Sequence, residues 1–172
     1  MGQGGDCLYP HITDNNREFL SALPLRFRLK VLHEGEKPFY IVLTHGSPKS
    51  IHEKLYRFTP KDQFAAMLRQ ADADMLITGN THIPYHHVIP VEENGSITSR
   101  HVINPGSVGR PKDGDWRPGY AIITLDATRS LHQDADVVKV DFYRVRYDLE
   151  KAVKAIKHSG LPVYYGGCLI TG

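Results

Sequence analysis

The sequence predicts a single mixed α/β domain, and three observations carry that expectation. Two short apolar runs, residues 39–43 and 75–78, have the composition of buried strands. Between them Thr59-Pro60-Lys61-Asp62 opens a helical pattern, with a cap residue, proline at the first helical position and an acid in the first turn. Beyond residue 88 the chain reads mostly as strands broken by turn residues. With 172 residues it is one domain, 1–172, long enough to bury a core.

The elements follow in order. Thr13 caps a short helix whose Phe19, Leu20 and Leu23 share one side, and Pro24 stops it. Leu25, Phe27, Leu29 and Val31 alternate with Arg26, Arg28 and Lys30, the pattern of a half-buried strand. Residues 34–38 form a turn into the apolar strand 39–43. The next helix carries Phe64, Met67, Leu68 and Ala71 and ends near Asp72, and the strand at 75–78 follows it. Strands at 88–91 and 97–103 flank Glu92-Glu93-Asn94-Gly95, where Asn-Gly signals a hairpin. A loop rich in glycine and proline, residues 104–115, leads to strands at 120–125 and 137–147. A closing helix over residues 149–158 meets Gly160 at its C-terminal end. The order is β-β-α-β and then a meander of strands.

Composition excludes several classes. Hydrophobic residues at 41% and charged residues at 23% are ordinary for a globular chain. The net charge of +2 is scattered, and its densest group, residues 26–30, is one strand face, which argues against a nucleic-acid duplex as partner. No apolar run reaches the roughly 18 residues of a membrane span. Cys7 and Cys168 form no C-x-x-C pair, so neither a disulfide framework nor a zinc ribbon is expected. These features predict a cytoplasmic protein without a membrane partner.

The chemistry is expected where two strands end alike. "YIVLTHGSP" delivers His45, and "MLITGNTH" delivers Asn80 and His82, each beside a glycine that lets the backbone bend sharply. Ligands of open α/β sheets bind outside the carboxyl ends of the strands. Imidazole suits zinc, iron, manganese or nickel, and an amide oxygen suits harder ions such as magnesium. His45 or His82 alone would read as a hydrogen-bonded loop histidine; together they point to a metal site. His86 and His87 read as sheet-surface residues. His33, His52, His101, His132 and His158 read as solvated, and Asp113 and Asp115 as an exposed turn.

The segments "HGSP", "GNTHIPYHH" and "INPGSVGRPKDGDWRPGYAIITL" resemble the C-terminal portion of calcineurin-like metallophosphoesterases, in their bacterial and archaeal phosphodiesterase-type subgroup. "DNNREFLSALP" and "GLPVYYGGCLITG" extend the resemblance over nearly the whole chain. It implies an α/β sandwich of two mixed β-sheets flanked by helices. It also implies two divalent metal ions bridged by a hydroxide that attacks a phosphoester in line. The family's Asp-x-His, Gly-Asp and Gly-Asn-[His/Tyr]-Asp motifs would precede these segments. This sequence has no Asp-x-His, and Gly5-Asp6 reads as linker, so the domain is expected to be truncated at its N-terminus.

Carried over by this resemblance, His45 is a ligand of the second metal and His82 of the first, while Asn80 stands where another second-metal histidine belongs. Ser47, Asn104 and Ser107 are substrate-loop candidates, with turn chemistry as their other reading. The implied function is metal-dependent hydrolysis of a small phosphoester, nucleotide-derived ones included, with this chain inactive by itself. A homo-oligomer is expected where missing strands would leave a sheet edge open. The alternative is a non-catalytic protein-interaction scaffold on the same fold, toward which Asn80 points.

Overall fold

The structure is a computed structural model that describes residues 12–93 and 95–172. Gly5-Asp6, Cys7 and the Asn94 turn position lie outside the described residues. Helix α1 (Asp14–Ala22) is followed by strands β1 (Arg26–Val31) and β2 (Phe39–Thr44), helix α2 (Lys61–Ala71) and strand β3 (Met75–Thr78). Then come β4 (Tyr85–Glu93), β5 (Ser96–Asn104), β6 (Gly119–Leu125) and β7 (Val138–Arg144), with α3 (Leu149–His158) and α4 (Tyr164–Thr171) last.

Five strands form one mixed sheet in the order β1-β2-β3-β5-β4, and β6 pairs β7 in a separate two-stranded sheet. β2, β3 and β5 run parallel, whereas β1 and β4 are antiparallel edges. The expected meander is therefore corrected. The β4–β5 hairpin folds back so that β5, not β4, lies beside β3, because the more apolar end of β5 takes the buried position. Pro90 is tolerated because β4 is an edge strand.

The core has two layers. On one face, Phe64 and Leu68 of α2 pack with Val42, Leu76, Val102, Ile89 and Val91. On the other, Phe39, Ile41, Met75 and Ile103 meet Leu131, Val137 and Val138, with Ile123, Leu125 and Val140 at the margin. Continuous apolar strands are what a sheet covered on both faces requires. Truncating Phe64, which is fully buried, would cost about 3–5 kcal/mol through lost transfer energy and a cavity.

Several local expectations change. The Thr13 hydroxyl accepts from the Asn16 N–H at 3.4 Å, as a cap should. Thr59 instead accepts from the Tyr56 N–H at 3.0 Å, and Pro60 stands at the α2 cap position without a side-chain bond. The strand expected to be half-buried, β1, forms, yet it shows no alternation of burial, and Phe27 and Leu29 are exposed because nothing among the described residues covers them. Helix α4 was not among the expected elements. It packs on α3, where an added Cβ at Gly166 would make ordinary contact with Val153 at 3.5 Å.

The histidines also depart from expectation. His101 is fully buried, with Nδ1 3.0 Å from Nε2 of His86, so neither ring lies on an open sheet surface. Burial, and then the charge of His86, pushes the pKa of His101 down to about 4. His87 Nε2 donates to the Arg57 carbonyl at 2.7 Å, beside Phe64 and Tyr85. His132 is buried between the Lys37 carbonyl (3.1 Å) and Asp74 (3.3 Å), which ties the β6–β7 connection to the start of β3. His33 faces Glu36 at 3.4 Å, while His52 and His158 are exposed. Asp113 and Asp115 are not free turn carboxylates either: Asp113 pairs with Arg144, and Asp115 chelates Arg117.

Candidate metal centre

The two loops meet because their strands are register partners. Thr44 of β2 stands opposite Thr78 of β3, so the next residues, His45 and Gly79, leave the sheet side by side. The Gly79 N–H donates to the His45 carbonyl at 3.0 Å, and the Thr78 hydroxyl donates to the Gly46 carbonyl at 2.6 Å. Gly46 is required by space rather than by its torsion. A Cβ there would lie 2.6–2.7 Å from the carbonyl oxygens of Ser50, Ile51 and Glu53.

After Gly79 the chain turns tightly. Asn80 and His82 both adopt left-handed backbone, with φ of 65° and 64°. Asparagine and histidine are both among the non-glycine residues found most often in this region, where each costs of order 1 kcal/mol. Asn104, fully buried at the end of β5, braces the turn. Its amide donates to the Gly79 carbonyl at 2.9 Å and to Thr81 Oγ1 at 3.0 Å, while its oxygen accepts from the Gly106 N–H.

His82 is oriented by one short bond. Its Nδ1 lies 2.6 Å from the Arg110 carbonyl oxygen, which can only accept, so Nδ1 carries the proton and Nε2 keeps its lone pair. Burial lowers the pKa of His82 against the opposing effect of that bond, and the charges of Lys112, Arg110 and His45 lower it further. The ring is thus held neutral and ready to donate from Nε2. A bond from the other ring nitrogen to a carbonyl commonly orients a metal-binding histidine.

Asn80 spends its amide N–H on the Ile51 carbonyl at 2.9 Å, which leaves Oδ1 as the atom able to meet a cation. His45 is exposed at the mouth of the site. The Thr44–Thr78 register and the bond from the Gly79 N–H to the His45 carbonyl place the turns that carry His45, Asn80 and His82 at one end of the sheet. These neutral nitrogen and oxygen donors suit a divalent ion. Among the described residues no three His, Cys, Asp or Glu side chains group as a metal-holding set. The donor set therefore fits part of a metal site and lacks the carboxylates that two dications require.

The loop candidates serve the backbone. Ser47 Oγ accepts from the N–H groups of Lys49 and Ser50 at 3.1 Å, and Ser107 Oγ accepts from Arg110 at 2.9 Å and Gly109 at 3.3 Å. Residue patterns had not singled out Arg110 or Thr81, whose contributions are a carbonyl and a hydroxyl. Only their place in a glycine-rich loop and a left-handed turn hinted at them.

An open groove of about 540 Å³ runs from His45 and Gly79 across β1 to α1. It is lined by Leu20, Leu23, Leu25, Phe27, Leu43, Ile51, Ile77 and Pro105.

Comparison with known proteins follows this geometry. The family model for the calcineurin-like phosphoesterase superfamily domain matches residues 8–128. An uncharacterized protein of Methanocaldococcus jannaschii, MJ0912, is 27% identical over 94% of this chain and 61% of its own length. The crystal structure of a metallophosphoesterase from Sphaerobacter thermophilus superposes with a TM-score of 0.66 at 24% identity, covering 94% of this chain and 64% of that one. The hypothetical protein PH1004 from Pyrococcus horikoshii gives 0.64 at 22% identity, covering 95% and 57%. The chain thus spans less than two thirds of the length of these relatives.

Proposed function

The chain belongs to the calcineurin-like phosphoesterase superfamily, and from that premise we propose that His45, Asn80 and His82 contribute ligands to a two-metal centre for phosphoester hydrolysis. The observation that carries the reading is the 2.6 Å contact between His82 Nδ1 and the Arg110 carbonyl, which presents Nε2 as a donor. A divalent cation bound there would supply Lewis-acid polarisation of a phosphoryl oxygen and a more acidic water. His82 and His45 offer imidazole nitrogen, and Asn80 offers an amide oxygen. Asn104 keeps the Gly79–His82 turn in shape, so the donors stay aligned without reorganising. The substrate class in this reading is a small phosphoester, nucleotide-derived ones included. Manganese, iron, zinc, nickel and magnesium are the candidate ions.

The test is manganese titration of the chain by calorimetry, alongside His82→Ala and His45→Ala. Binding that weakens at least tenfold in each variant is expected, about 1.4 kcal/mol or more per lost ligand. Equal affinity in all three would overturn the reading. A second reading, a non-catalytic interaction scaffold, is favoured by one observation. Asn80 has an amide where a stronger imidazole ligand would stand, and it is already bonded to Ile51.

A further inference from the structure

Strand β1 sorts its side chains by face. Arg26, Arg28 and Lys30 stand on one face, opposite Thr44, Val42 and Tyr40 of β2. Phe27, Leu29 and Val31 stand on the other, opposite Leu43, Ile41 and Phe39. All of them except Val31 are exposed. β1 closes the sheet, and among the described residues its backbone bonds only to β2. Alternate residues therefore present an N–H and a C=O outward, and such an edge is a template for one more strand.

The two faces ask for different side chains. Arg28 already has partners: it donates to the Asp72 carboxylate at 2.6 Å, and its guanidinium carbon lies 3.8 Å from the centre of the Tyr40 ring. Arg26 and Lys30, on either side of it, meet no acid among the described residues. The apolar face opens on the groove of about 540 Å³, whose lining here includes Leu20, Leu23, Phe27 and Leu43. A strand added to β1 would lay every second side chain beside the groove and the others beside Arg26 and Lys30.

A second copy of β1 does not match this edge. In a two-fold antiparallel pair centred on Arg28, the two Arg28 side chains face each other and each Arg26 faces a Lys30. Like charges directly opposite are destabilising. A shift of one residue would set charged side chains against apolar ones instead. Two copies can meet through the apolar face and groove, but pairing edge to edge is opposed by charge.

We propose that β1 is a docking edge for an extended segment of another protein in which acidic and apolar residues alternate. Main-chain bonds to the open edge give affinity. Carboxylates opposite Arg26 and Lys30, with apolar side chains over the groove, give selectivity.

The experiment measures binding of short capped peptides by fluorescence anisotropy, at low salt and at a concentration where sedimentation shows a monomer. The probes are a peptide of alternating valine and glutamate, one of alternating valine and lysine, and the first with alternate backbone nitrogens methylated. The acidic peptide is expected to bind at least about tenfold more tightly than either control. Arg26→Glu/Lys30→Glu, at exposed positions, should reverse the preference between acidic and basic peptides, and added salt should weaken both. Equal affinity for the acidic and basic peptides would overturn the proposal. So would an unchanged preference in the double variant with an unaltered melting curve. Undiminished binding of the methylated peptide would reduce the contact to charge alone and overturn strand addition. Failure of the chain to bind any peptide would mean that the edge is occupied by the chain itself, by residues 1–11 or a second copy, and would overturn the proposal as well.

Discussion

Nδ1 of His82 donates to the carbonyl oxygen of Arg110 across 28 residues of sequence, at 2.6 Å. That bond settles the tautomer of the ring and joins the β3 turn to the long loop after β5. The backbone of one loop thus orients the donor atom of the ring.

Exchange of the amide for an imidazole should reveal what Asn80 contacts. Asn80→His is expected to tighten zinc by roughly tenfold and manganese by less, since imidazole is the better donor toward zinc. Calorimetry with both ions decides it. Equal zinc affinity in the two forms would make Asn80 a turn residue only.

Turnover is expected to be absent. The described donors are neutral, and a pair of dications needs carboxylates to offset its charge and bridge it. The chain with added manganese should release no nitrophenol from a bis-aryl phosphate above the buffer rate. Turnover that persists in the His45→Ala/His82→Ala double variant would show that the chemistry lies elsewhere.

Gly46→Ala should destabilise the protein by about 2 kcal/mol or more, because the new methyl meets three backbone carbonyls and not a yielding side chain. Denaturant melts measure the loss. The Ile51 carbonyl would shift with its loop and release Asn80, so metal affinity should fall in the same variant. A melt identical to wild type would mean that the 50–53 loop gives way freely.

Stability should fall as the solution is acidified. His101 has an ordinary pKa near 6.5 when unfolded and about 4 when folded, so the unfolded chain binds more protons between those values. Its contribution is complete above pH 6.5 and declines as pH falls toward 4, by up to about 3 kcal/mol. His82 and His86 are lowered by burial and act in the same direction. Replacing His101 by glutamine should flatten the dependence of denaturation midpoint on pH in this window. An unchanged slope would assign it to other groups.

Self-association is expected along β1. This strand is a sheet edge whose Phe27 and Leu29 are exposed, and the apolar groove beside it extends to Leu20 and Leu23 of α1. Sedimentation should show concentration-dependent oligomers, and Phe27→Glu should reduce them. A monomer at every concentration would contradict this.

The amino-acid sequence by itself determined the central strands and the turns that leave them. The apolar runs ending at Leu43 and Thr78 can hardly be anything but buried, and a glycine beside each histidine marks where the chain turns out of the sheet. Periodicity is a local property, so residues 75–78 and 149–158 were legible to the residue. Tertiary structure alone decided which faces were covered and which polar groups found partners. The same alternation that would suit a half-buried strand leaves Phe27 in solvent, because burial depends on a neighbour and not on the strand. His101 and His132 read as solvated until strands and connections brought His86, Asp74 and the Lys37 carbonyl against them from 15 to 95 residues away. The backbone carbonyl of Arg110 leaves no trace in residue identity. Hydrogen bonds made by the main chain are specified by how the loops close, and that is settled only when the whole sheet is assembled.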